Sequence, residues 1–201
     1  MDLLDSSTME PLSTRSTMPF ELQPTLEGEL LLLRPLQPED FDELYDVASD
    51  PLIWEQHPNP DRHELKVFEA FFQDALESGG AFVAIDRKTG KAIGSSRYHG
   101  YKEDESDVEI GWTFLARSHW GGVYNREMKS LMLTHAFRFA ERVVFVIGPQ
   151  NWRSRKAVEK IGGVLIGTRP GPGGRENVVY EITRGTSLVR GPSEPSPEAQ
   201  R

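Results

Sequence analysis

The stretch FLARSHWGGVYNREMKS, residues 114–130, runs an apolar strand end through two glycines directly into a helical pattern. A strand that turns straight into a helix leaves the first backbone N–H groups unpaired at the positive end of the helix dipole. Such a junction is an anion site. A hydrogen bond to a charged group contributes roughly 1.5–3 kcal/mol net, so a few converging amides can hold a pyrophosphate without a lysine. Valine resists positive φ, so Gly121 or Gly122 must make the tight turn while Val123 opens the helix. The two methyl groups of Val123 then either crowd the anion or turn inward to pack, and inward packing is the preferred expectation.

Working outward, DVEIGWTFL (107–115) alternates Val108, Ile110, Trp112 and Phe114 against Glu109, Gly111 and Thr113, predicting a strand with one apolar face and Glu109 on the other. After the glycines, Met128, Leu131, Met132, Ala136, Phe139 and Ala140 recur at helical spacing and predict a long helix from Val123 to Arg142. Upstream, GELLLLRPL (28–36) reads as a strand and PEDFDELYDVAS as a helix with Pro38 at its start. A second helix fits residues 61–80, with Leu65, Phe68, Phe72, Ala75 and Leu76 on its core face. AFVAI and KAIGSSRYHGY flank the turn DRKTG and form a hairpin. Downstream come the strand RVVFVIG, a short helix in NWRSRKAVEKIGG with Asn151 as a candidate cap, and the strands GVLIGT and NVVYEIT. The order predicts an α/β fold with a mixed, mostly antiparallel sheet and about four helices.

The chain of 201 residues, 37% hydrophobic and 27% charged, suits one globular domain. Residues 1–24 and 185–201 are rich in Ser, Pro, Thr and Glu without periodicity and are expected to be a flexible leader and tail around a domain over 25–184. No basic start precedes an apolar run, and no apolar run reaches the ~20 residues of a membrane span, so a cytoplasmic protein without a membrane partner is expected. The formal charge of −8 argues against nucleic acid as a main partner, and the absence of cysteine removes a thiolate nucleophile and thiolate metal sites. No metal site is expected. Neither GxxxxGK[ST] nor GxGxxG after the first strand is present, which leaves nucleoside triphosphates and dinucleotides unsupported.

Taken together, LLLRPLQPEDFDELYDVASDP, DVEIGWTF, WGGVYNREMK and NWRSRKAVEKIGG resemble the GNAT acetyltransferases over about residues 26–183, and within them the Rim type that acetylates protein N-termini. The resemblance implies acetyl-CoA as co-substrate. Its pyrophosphate would lie on the amides of Trp120, Gly121, Gly122, Val123 and Tyr124, and its pantetheine along the DVEIGWTFL strand, where a backbone N–H of Trp112 or Thr113 polarises the thioester. The family's loop pattern [QR]-x-x-G-x-[GA] is met at Gly121, with Val123 in the second small position and Arg117 one place out of register. Arg117, Arg126, Lys129, Arg153, Arg155 and Lys156 are either an attraction for the cofactor or solvated helix-face charges.

Transfer from a thioester to an amine needs a neutral amine, a stabilised oxyanion and a proton for the leaving thiolate. Glu109 is the candidate base, working through water, or else a structural hydrogen-bond partner. Ser154 is the candidate proton donor, since NWRSRKAVEKIGG lacks the tyrosine that many relatives use there. Asn151 is a helix cap or a pantetheine contact, and Trp54 is an acceptor wall or core packing; His57 and His99 lie near the acceptor, whereas His63 and His135 read as structural. A protein N-terminal α-amine is the expected acceptor, with a small-molecule amine or a non-catalytic CoA-binding domain as alternatives. A homodimer is the expected assembly.

Overall fold

The computed structural model describes residues 19–171 and 174–185. In chain order the elements are β1 (Leu26–Glu27), β2 (Leu31–Pro35), α1 (Phe41–Ala48), α2 (Leu65–Glu77), β3 (Ala81–Asp86), β4 (Ala92–Lys102) and β5 (Asp107–Leu115). These are followed by α3 (Val123–Ala136), β6 (Arg142–Ile147), α4 (Trp152–Lys160), β7 (Val164–Pro170) and β8 (Glu176–Thr183). The strands form one sheet in the order β1-β2-β3-β4-β5-β6-β8-β7, antiparallel throughout except where β5 meets β6. This is the mixed, mostly antiparallel α/β architecture with four α-helices expected from the sequence.

Two apolar cores lie on the two faces of the sheet. Helix α3 buries Met128, Met132 and Ala136 against Leu33, Phe82, Tyr98, Val108 and Ile110, and α4 adds Val158. On the opposite face α1 and α2 pack Leu44, Phe68, Phe72 and Ala75 onto Val83 and Phe114. Asp40 fixes the β2–α1 corner, accepting a bidentate pair from the Arg34 guanidinium at 2.8 and 2.6 Å and a bond from the Gln37 amide. Glu127 of α3 reaches back to the β1–β2 turn, where the amides of Glu29, Leu30 and Leu31 donate to its carboxylate at 2.8–2.9 Å. A side chain at Gly28 would fall within 2.5 Å of that carboxylate, which is why the turn carries glycine there.

Four expectations change. Phe114 does not share a face with Val108 and Ile110, because β5 is bulged: Ser95 pairs with Phe114 and Arg97 with Gly111, so Ser96 alone opposes Trp112 and Thr113. Trp112 takes φ 52° at the bulge, and the strand's sidedness flips there. Helix α3 ends at Ala136 rather than Arg142; the apolar spacing runs on because Ala140 stays buried in the turn that follows, its N–H bonded to the Ala136 carbonyl. Leu65 opens α2 and is exposed, so the core face of that helix begins at Phe68. The packed unit begins before residue 25: Phe20 stacks on Phe139 and meets Tyr98 and Tyr101, and Gln23 donates to the Ala81 carbonyl. Most of the leader and tail, residues 1–18 and 186–201, lies outside the described residues.

Candidate active site

Strands β5 and β6 pair over only three residues, Asp107 with Arg142, Val108 with Val143 and Glu109 with Val144. Beyond Glu109 the two strands part, and the edge of β5 from Ile110 onward faces a cleft of about 790 Å³, within the usual range of small-molecule sites. Glu109 therefore sits at the fork. Its carboxylate is buried, accepts a bond from the Arg169 guanidinium of β7, and lies across the β4–β5 ladder from His99. Burial raises its pKa, and the charges of Arg169 and His99 oppose that rise.

At the cleft's other end Gly121 and Gly122 take φ 104° and 121°, and Val123 begins α3. The first α-helical bond runs from the Arg126 amide to the Gly122 carbonyl, and Gly122 brings no capping side chain. The amides of Val123, Tyr124 and Asn125 precede that bond and are open to an anion. A run of open amides at one end and an unpaired strand edge between suit a pyrophosphate joined to an extended amide-bearing arm, so the residues present fit acetyl-CoA.

The cleft's charge is opposite to the chain's. Arg62, Arg126, Lys129, Arg153, Lys156, Lys160, Arg169 and Arg175 line it against one carboxylate, Glu109, among the described residues. Lys129 is not a solvated helix-face charge. It is 4% exposed, its ammonium donates to Ser96 Oγ at 3.0 Å and to Thr113 Oγ1, and burial pulls its pKa down to about 7. Arg153 lies 4.1 Å over the Trp120 ring and donates to the Ile53 carbonyl, whereas Arg155 turns away to the Tyr180 hydroxyl.

The structure brings Glu109, Trp112, Thr113, Trp120, Gly121, Gly122, Asn151, Arg153, Ser154, Trp54, His57 and His99 together around the cleft. The side chains of three expected cofactor residues, Arg117, Val123 and Tyr124, do not line it, although the amides of the last two remain at its end. Arg117 pairs with Asp50 in a separate depression beside α1. Tyr124 points its hydroxyl at Asp86. Val123 is 59% exposed, so its methyls neither pack inward nor line the cleft. Asn151 caps α4, accepting the Ser154 amide at 3.2 Å, and its buried side chain borders the cleft as well. Trp54 is likewise both core and wall: its indole N–H donates to the Ala48 carbonyl at 2.7 Å while its ring packs on Phe114. His135 is structural, bonded to the Glu21 carbonyl among aromatic rings. Among the described residues no group of acidic and histidine side chains is placed to hold a metal ion, and no helix is long and apolar enough to cross a membrane.

Sequence reasoning missed Arg169, Arg62 and Arg97. Arg169 is distant from Glu109 in the chain and carries no local signal. Arg97 is 2% exposed, bonded to Asp74 at 2.7 Å, with its guanidinium 4.7 Å over Trp112 and its Nε and second terminal nitrogen without partners. Its place in an alternating strand pattern, between Ser96 and Tyr98, was the only available sign that it points into a face of the sheet.

Comparison with known proteins agrees with this geometry. The acetyltransferase (GNAT) domain family matches residues 31–164. Similar solved structures include an acetyltransferase from Agrobacterium tumefaciens, 26% identical, covering 85% of this chain and 100% of that one at a TM-score of 0.64. A GCN5-related N-acetyltransferase from Brucella melitensis is 20% identical over 82% of this chain and 80% of its own, with a TM-score of 0.73. Mycobacterium smegmatis RimJ, solved with CoA-disulfide, is 19% identical over 84% and 90%, with a TM-score of 0.65. A search of curated proteins finds no match. With the family matched across most of the chain and a forked sheet that fits its co-substrate, the protein belongs to the GNAT acetyltransferases and uses acetyl-CoA as its acyl donor.

Proposed function

We propose that the enzyme acetylates the α-amine at a protein N-terminus. The carrying observation is Glu109: the one carboxylate lining the cleft among the described residues is buried at the fork yet held by Arg169, which makes it a modest base. An α-amine with pKa ~7.7–8.0 needs about one unit of help at neutral pH, whereas a lysine at ~10.4 needs more than three, or over ~4 kcal/mol. A modest base suits the α-amine.

In this reading acetyl-CoA supplies the thioester, with its pyrophosphate on the amides after Gly122 and its arm along the open edge of β5. Glu109 takes the amine proton through water, a backbone N–H at the Trp112–Thr113 bulge stabilises the oxyanion, and Ser154 returns a proton to the thiolate. The lone hydroxyl in the first turn of α4 borders the same cleft, which supports that last role. A homodimer finds its support in the outer strand β7, where Val164, Leu165 and Ile166 are exposed; sedimentation of the purified chain tests it.

The function is tested by free-CoA release with a panel of unblocked peptides, the same peptides blocked at the N-terminus but containing lysine, and a panel of small amines. Turnover confined to unblocked peptides is expected. Turnover of small amines alone overturns the reading in favour of a small-molecule acetyltransferase, and acetyl-CoA binding with no CoA released from any panel points to a binding domain.

A further inference from the structure

His57 and Arg62 meet in the cleft in a way that the protein alone does not satisfy. The backbone N–H of Asn59 donates to His57 Nδ1 at 2.9 Å, so the neutral ring carries its proton on Nε2. That nitrogen lies 3.2 Å from a terminal nitrogen of Arg62, and a guanidinium has only donors. Two donors therefore face each other where an acceptor belongs. Burial and the Arg62 and Arg153 charges hold the His57 pKa down at about 3, so the ring stays neutral and the arrangement persists at physiological pH.

The positive charge around this point is only partly offset, by Asp61 next in the chain and by Asp74, which pairs with Arg97. Arg62 is half-buried, lies 4.4 Å over Phe71 and 5.6 Å over Trp54, and makes no ion pair among the described residues. Arg97 stands behind it over the same Phe71 ring at 5.9 Å, and its one carboxylate, Asp74, is 66% exposed and screened by water. A guanidinium flanked by aromatic planes, with a second cation behind it and an N–H beside it, is built to receive a planar anion with two oxygens.

We infer that Arg62 and His57 form a carboxylate-binding subsite for the acceptor, an N-terminal segment bearing an aspartate or glutamate close to its reacting amine, which rests on the N-terminal reading above. Spacing separates this from a free amino acid. Arg97 pairs with Gly111 one two-residue step, about 7 Å of backbone, along the ladder from His99 and Glu109, and Arg62 shares the Phe71 ring with it. A carboxylate on the same carbon as the amine stays within about 3 Å of that amine, whereas a side-chain carboxylate of the next residue reaches farther, which favours a peptide over a free amino acid.

Three unblocked hexapeptides beginning Ser-Asp, Ser-Asn and Ser-Lys, otherwise identical, test this with the full chain at low salt. The parent is expected to favour Ser-Asp over Ser-Asn at least tenfold in kcat/KM, and Ser-Lys least. Arg62→Gln should bring the Asp and Asn peptides within about twofold, and Arg62→Glu should favour Ser-Lys. Because Arg62 also packs on Phe71, Arg62→Lys serves as a second variant that keeps the charge and should keep most of the preference; acetyl-CoA binding checks that each variant is folded. Equal turnover of the three peptides by the parent overturns the subsite and leaves the N-terminal reading standing. Turnover of small amines with none of any peptide overturns that reading, and the subsite with it.

Discussion

The two ends of the cleft are built by different means. The end at Gly121–Asn125 and the open edge of β5 is made of backbone: unpaired amides and a strand edge left open beyond Glu109. The end at Glu109, His57 and Arg62 is made of side chains from β5 and the α1–α2 connection, with Arg169 arriving from β7. A backbone site depends on conformation and is indifferent to most side chains, which suits a co-substrate that never changes. A side-chain site is set residue by residue, which suits an acceptor that distinguishes one member of a family from another.

That contrast can be broken most forcefully at Glu109. Glu109→Gln should lower turnover about a hundredfold or more, the usual range for a general base, with the deficit greatest at low pH and acetyl-CoA affinity unchanged in calorimetry. A loss of acetyl-CoA affinity instead would show the two ends to be one. The converse change is Gly122→Val. A β-branched residue at φ 121° costs of order 1–3 kcal/mol, so acetyl-CoA affinity should fall on the order of tenfold while the KM for the acceptor stays put. Unchanged affinity would mean that the amides after Gly122 do not hold the co-substrate.

The smallest effect is expected between the two ends, at Lys129, which lies under the bulge against Ser96 and Thr113. Its folded pKa of about 7 lies below the unfolded value of 10.5, so the folded chain binds fewer protons between these pH values. Stability from this group is complete above about 10.5 and is lost as pH falls toward 7. Lys129→Met should therefore raise the Tm by a few degrees at pH 7, with the gain shrinking by pH 9, because Ser96 and Thr113 already bond each other at 2.8 Å. A variant less stable than the parent at pH 7 would assign the ammonium a partner that stabilises it.

The same division governs what could be read in the sequence. The backbone end was legible because glycines before a helical pattern are a local signal, and Gly121 and Gly122 both take the positive φ that Val123 cannot. The helices and strands were legible from period, with errors where burial outlived the element: Ala140 keeps the rhythm of α3 after the helix has ended. The side-chain end was legible only in part. Glu109, Trp54 and His57, picked out by type and position, do line the cleft, but the Arg169 that restrains Glu109 lies sixty residues away, and no local pattern announces it. The bulge left no mark either, since Val108, Ile110, Trp112 and Phe114 alternate perfectly in sequence while the structure turns Phe114 to the other face.

The extra residue at Trp112 has a further meaning for how such an enzyme diversifies. Before it, β5 answers to Met128, Met132 and Tyr98 through Val108 and Ile110; after it, Phe114 answers to Trp54, Phe68 and Phe71. One strand thus belongs to two core clusters on opposite faces of the sheet, and substitutions at well-separated sites combine with little penalty. On the proposed assignment of acceptor and donor ends, a lineage can rework the aromatic wall around Trp54 and Phe71 for a new acceptor while α3 and the glycine turn go on unchanged, so a single displaced backbone step lets specificity drift without the donor site having to follow.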